Sequence, residues 1–133
     1  MNLTTAVKNR RMFSIHSIHN WIEFNGGNTF LGVYAKYPGV EVPESYIKED
    51  GSILLCIKSD ACSDLFFDFE NLIISFKARF NSISHDIVIP VFSIFSIWEK
   101  ESSVGEQFGV AIVKDEKEDE DLKSKSSHLR IVE

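Results

Sequence analysis

The chain has 133 residues, 44% hydrophobic and 26% charged, which fits one globular domain and excludes collagen-like or wholly disordered chains. Fourteen Lys and Arg against twenty Asp and Glu leave a net charge of −6, which argues against a general phosphate-backbone binder. Two cysteines are too few for a disulfide scaffold, no apolar run approaches the ~20 residues that span a bilayer, and residues 1–11 are followed by no signal-peptide core. A cytoplasmic protein is expected.

Residues 12–24 read as a helix. Ile15, Ile18 and Ile22 follow i, i+3, i+7, and Asn25-Gly26-Gly27 supplies a stop. Phe13, Trp21 and Phe24 widen the apolar arc to roughly 200°, more than one core-facing stripe needs. A second surface, such as the same helix of another subunit, would cover the excess; a helix sunk deeply in its own core would also do so. Residues 30–36 are aromatic and β-branched, with Tyr37-Pro38-Gly39 as a turn. Residues 40–43 are extended, Asp50-Gly51 predicts a hairpin into residues 53–57, and residues 58–70 read as a loop. The cleanest alternation runs over residues 72–80: Leu72, Ile74, Phe76, Ala78 and Phe80 face one way, while Ile73, Ser75, Lys77 and Arg79 face the other. Asn81-Ser82 turns the chain into residues 87–89. A short helical turn from Pro90, then Ile97-Trp98 and residues 108–113, complete a β portion without βαβ spacing. The expected fold is mainly β with an N-terminal helix, a small antiparallel sheet or partly open antiparallel barrel.

At Lys114 the composition changes. Residues 114–121 are all charged, and Ser and Lys follow through Ser127, a stretch too polar to offset its ordering entropy. Leu129, Ile131 and Val132 then stand beyond this acidic linker. They read as a short docking peptide, with a frayed terminus as the plain alternative. The expected organisation is a domain over 1–113, a flexible linker over 114–127 and a docking peptide over 128–133.

Catalytic signals are weak. No phosphate-cradling glycine motif occurs, and Asn25-Gly26-Gly27-Asn28 serves better as a helix cap. His16 and His19 have a spacing that suits a metal, but only Glu23 can join them, so no metal or cofactor is expected. Cys56 and Cys62 suit small apolar roles, and His85-Asp86 shows neither a nucleophile elbow nor an oxyanion glycine. Binding chemistry is better represented. Ala78 lets a peptide backbone approach, Phe76 and Phe80 make walls, and Arg79 can take a carboxylate or carbonyl; the plain alternative makes Phe76, Ala78 and Phe80 core.

Several stretches, in order, resemble the SspB (stringent starvation protein B) family. They are Asn20-Trp21, Tyr37-Pro38-Gly39-Val40-Glu41-Val42-Pro43, Asp50-Gly51, Phe76-Lys77-Ala78-Arg79-Phe80, Ile89-Pro90-Val91, Ile97-Trp98-Glu99-Lys100-Glu101 and Gly105-x-x-Phe108. At the end, Leu129-Arg130-Ile131-Val132 looks like the family's Leu-Arg-Val-Val docking peptide. The resemblance implies a non-enzymatic adaptor of the ClpXP protease with an Sm-like partial barrel, dimeric through the N-terminal helix. Ile15, Ile18, Trp21 and Ile22 would form that dimer contact. Val42, Tyr46, Phe76, Ala78, Arg79 and Phe80 would hold the ssrA degradation tag of stalled translation products. Leu129, Arg130, Ile131 and Val132 would dock on the N-terminal domain of ClpX. Glu133 stands where the family usually has Lys, the linker is short and lacks prolines, and Lys77 replaces a neutral polar residue. A competing reading is an Sm- or OB-like nucleic-acid binder, disfavoured because residues 1–113 hold nine Lys and Arg against thirteen Asp and Glu, net −4.

Overall fold

A computed structural model of the chain describes residues 3–109; the acidic linker, the C-terminal peptide and residues 110–113 lie outside the described residues. Helix α1 (Leu3–Phe24) starts nine residues earlier than its apolar pattern predicts. Seven strands follow among the described residues: β1 (Thr29–Tyr34), β2 (Ser52–Cys56), β3 (Cys62–Asp68), β4 (Ile73–Phe80), β5 (Ile83–Pro90), β6 (Ile94–Glu99) and β7 (Gly105–Gln107). They form two antiparallel sheets, β2-β1-β6-β7 and β3-β4-β5, which do not close into a barrel. The expected mainly β, partly open architecture is the one observed.

The helix buries Met12, Ile15, His19 and Ile22 as one stripe; Ile18, expected at its centre, is only half-buried. At about 100° per residue, the exposed Phe13, Trp21 and Phe24 fall on the far side of the helix. The wide apolar arc is therefore two faces, one used by the domain's own core and one exposed. A Schellman closure ends the helix: the Gly27 N–H donates to Ile22 O at 2.9 Å and the Gly26 N–H to Glu23 O at 3.0 Å. Gly26 takes a φ of +75°, which a side chain would resist.

One apolar cluster joins helix and sheets, with Leu31 and Val33 of β1, Ile53 and Leu55 of β2, Ile74 and Phe76 of β4, Ile87 and Ile89 of β5, and Ile94 and Ile97 of β6 all buried. Residues 91–93 form a short 3-10 turn that carries the chain from the second sheet to the first. Glu99 holds the helix exit to β6. Its carboxylate accepts N–H groups from Asn28 (3.0 Å), Ser102 (2.8 Å) and Glu101 (3.1 Å), which hold its pKa down to about 2.

Two sequence expectations need correction. Asp50-Gly51 is a turn, closed by the Lys48 N–H donating to Ser52 O at 2.8 Å, but beyond Ser52 β2 pairs with β1 and not with the preceding segment, because Glu44–Tyr46 coils as a 3-10 turn. The stretch read as a loop contains β3. The last strand among the described residues is Gly105–Gln107, ahead of Phe108; most of the strand expected over 108–113 lies outside the described residues.

Candidate peptide-binding site

The hairpin of β4 and β5 carries most of the expected binding residues. Asn81 and Ser82 both adopt left-handed φ values, 52° and 65°, so a two-residue turn of the primed type pairs Phe80 with Ile83 and sets the register. That register puts Ala78 opposite Cys62 on one side and His85 on the other. Period-two alternation then turns Phe76, Ala78 and Phe80 inward and Lys77 and Arg79 outward, as expected.

The inward residues do different work. Phe76 is buried in the core, so it serves the fold. Ala78 is half-buried and lines a shallow pocket of about 280 Å³ with Lys77, Arg79, Ser84 and the first residues of β3, Cys62 and Ser63. Asp60 and Ala61 complete its rim. Phe80 packs on Tyr46 with ring centroids 4.7 Å apart and meets His85 edge-on at 5.6 Å. Val42 is half-buried against the core, beside Glu41, whose backbone bridges to Val88 of β5 with hydrogen bonds of 2.8 and 3.1 Å. Ala78 and Arg79 thus share one pocket, Tyr46 and Phe80 share one aromatic wall, and Val42 sits on the segment that covers the edge of β5.

The charges at the pocket are lightly held. Lys77 Nζ lies 3.4 Å from Asp86 with both side chains well exposed, and Arg79 donates to Ser82 O at 3.4 Å from an exposed position. Such contacts contribute little and leave both cations accessible to a ligand. Burial, with lesser contributions from Cys56 and Glu23, pushes the Cys62 thiol up to about 11, so it lines the pocket as an inert thiol. Cys62 and Ser63 at the start of β3, with Asp60 and Ala61 just before it, line the pocket but are not among the sequence-predicted site residues, since the sequence reads as a loop there. The signal of β3 was the alternation of half-buried Leu65 and Phe67 around exposed Phe66, obscured by a register shift where Asp64 takes a φ of 56°.

Of the residues expected between two subunits, Ile15 and Ile22 pack in the domain's own core, Ile18 is half-buried, and Trp21 stays 51% exposed. Phe24, 89% exposed, adds to the outer face. Among the described residues no cluster of three or more metal-ligating side chains occurs, and no helix is long and apolar enough to cross a membrane.

A sequence model of the family described as stringent starvation protein B matches residues 12–130. The chain belongs to that family. It is also similar to the stringent starvation protein B homolog of Haemophilus influenzae, with 31% identity over 146 aligned positions that cover 93% of this chain and 95% of the relative. The family match covers α1 from Met12 onward, both sheets and the acidic segment, and reaches Arg130, within the C-terminal motif. Membership supports an adaptor-type role in general, with proteins as partners.

Proposed function

We propose that the protein is an adaptor that binds ssrA-tagged chains from stalled translation at the β4–β5 hairpin and tethers them to ClpXP. The observation that carries this reading is half-buried Ala78 in one pocket with the accessible cations Lys77 and Arg79, two residues along β4 from Phe80, which packs on Tyr46. An extended peptide needs a small residue where its backbone approaches, apolar pockets for alternate side chains, and donors for its carbonyls or carboxylates. Ala78, the Tyr46–Phe80 pair and Lys77 with Arg79 supply these, and Val42 lies on the segment beside them. The protein performs no covalent step itself; unfolding and cleavage belong to the protease. It acts in the cytoplasm.

Residues 114–127 serve as the tether and Leu129, Arg130, Ile131 and Val132 as the ClpX-docking peptide. Fourteen residues reach about 48 Å fully extended, and joining two weak contacts in one molecule raises avidity by ~10²–10⁴ without a new contact. Two copies pair through α1, with Trp21 and Phe24 outward and Ile18 at the margin. Ile15 and Ile22 support that contact from beneath.

Titration of a fluorescent ssrA peptide into the full-length protein, alone and with ClpX, tests the reading. Saturable peptide binding and a tighter ternary complex are expected; a peptide that does not bind overturns it.

A further inference from the structure

The described chain ends at Gly109 in a basic cleft. Gly109, Lys8, Arg10 and Arg11 line a cavity of about 530 Å³ at the early turns of α1. Arg11 is fixed there: its guanidinium carbon lies 5.4 Å from the Phe92 ring centroid and 5.1 Å from that of Phe108, and Nη1 reaches Ile94 O at 3.5 Å. Lys8 and Arg10 are exposed, and among the described residues neither forms an ion pair. Glu106 is the one acid among the described lining residues. Residues 3–109 hold nine Lys and Arg against thirteen Asp and Glu, so a third of the domain's cations gather at this one place on an acidic protein.

We propose that the acidic segment 115–121 of the same chain folds back into this cleft. Asp115, Glu116, Glu118, Asp119, Glu120 and Asp121 place six carboxylates in seven residues, beginning six residues after Gly109. Six residues span up to about 20 Å, enough for the chain to leave the cleft and turn back along it. Attachment that short keeps the segment at an effective concentration in the millimolar range, so individually weak ion pairs suffice. The device sets tether length by charge. With 115–121 held, only residues 122–127 separate the cleft from the C-terminal peptide, about 20 Å of extended chain in place of about 48 Å. The effect on delivery rests on the tether reading; the fold-back itself does not.

The test compares two full-length proteins by ¹H–¹⁵N spectra: the natural chain, and one carrying Asp115→Asn, Glu116→Gln, Glu118→Gln, Asp119→Asn, Glu120→Gln and Asp121→Asn. At ~50 mM NaCl the Lys8 and Arg10 amides and the Arg11 side-chain N–H are expected to differ between the two, and at ~500 mM, where screening is within a few ångströms, to coincide. Lys8→Glu with Arg10→Glu in the natural chain should erase the salt response. Coincident low-salt spectra overturn the proposal, as does a difference that persists at high salt. A difference that grows with protein concentration also overturns it, assigning the cleft to another copy's acidic segment. None of these readouts involves tag or protease, so failure of the fold-back and failure of the adaptor reading are separable.

Discussion

The two sheets are built from similar residues and used differently. In β1 and β6 no residue is exposed and four of six in each are buried, because α1 covers one part of that sheet and the common core another. In β4 and β5 burial falls on alternate residues, and the intervening ones include Ser75, Lys77, Arg79, Ser84 and Asp86; β3 has no fully buried residue. The first sheet commits the side chains of its two central strands to stability. The second keeps a face and a hairpin end free, and the candidate site lies there. Substitutions should therefore separate by sheet: those in the first change stability, those in the second change binding.

The largest effect is expected from Leu31→Ala. Leu31 is fully buried in β1, and deleting its branched end leaves a cavity, at a cost of about 2–5 kcal/mol by denaturant unfolding. Phe66→Ala, on a side chain 58% exposed in β3, should cost a small fraction of that. Equal losses at both sites would break the contrast. Next comes Ala78→Gln, which fills the space above the strand: ssrA-peptide affinity should fall by ~10-fold or more, about 1.4 kcal/mol, while the unfolding midpoint holds. A protein that unfolds instead makes Ala78 core.

The third probe addresses the contact between helix and first sheet. His19 is buried with Nδ1 2.9 Å from Thr29 Oγ1 and Nε2 4.0 Å from Glu23; burial lowers its pKa from 6.5, Glu23 partly opposes this, and His16 adds to it. The unfolded chain then takes the proton first as pH falls below about 6.5, so stability is lost from there down through the folded value. Thermal melts between pH 7 and 5 should show this loss in the natural protein and less of it in His19→Gln. Parallel curves for the two proteins would remove His19 from the account.

The same contrast explains what the sequence made legible. Alternation over 72–80 identified β4 and its inward and outward residues, because that strand has one wet face and a regular register. The glycine stop after Phe24 was readable because a Schellman closure needs a left-handed residue at one position. His19 was not legible as core, since its burial depends on Thr29 lying opposite it, a contact between separate elements. Nor was β3, where a register shift breaks the period that identifies a strand. At the site, Ala78 and Arg79 were found from one strand, but Cys62 and Ser63 come from its neighbour and needed the pairing. The early start of α1 was also hidden, because the residues before Met12 carry charge where a core-facing helix would show apolar spacing.

The smallest expected effect sharpens the contrast most. Lys77 and Asp86 face each other across β4 and β5 at 3.4 Å, the one Lys or Arg ion pair among the described residues. With side chains 51% and 78% exposed, water and salt screen the attraction, and holding two long side chains in one arrangement costs rotamer entropy. A double-mutant cycle with Lys77→Ala and Asp86→Ala should return a coupling of about 0.5 kcal/mol or less, shrinking further in added salt. Lys77 would then be a cation that the fold does not require, available at the rim of a pocket where a peptide carboxylate or carbonyl could engage it. A coupling above ~1.5 kcal/mol would show the opposite: the outward face of the second sheet would be holding the hairpin together, and Lys77 would not be free to bind.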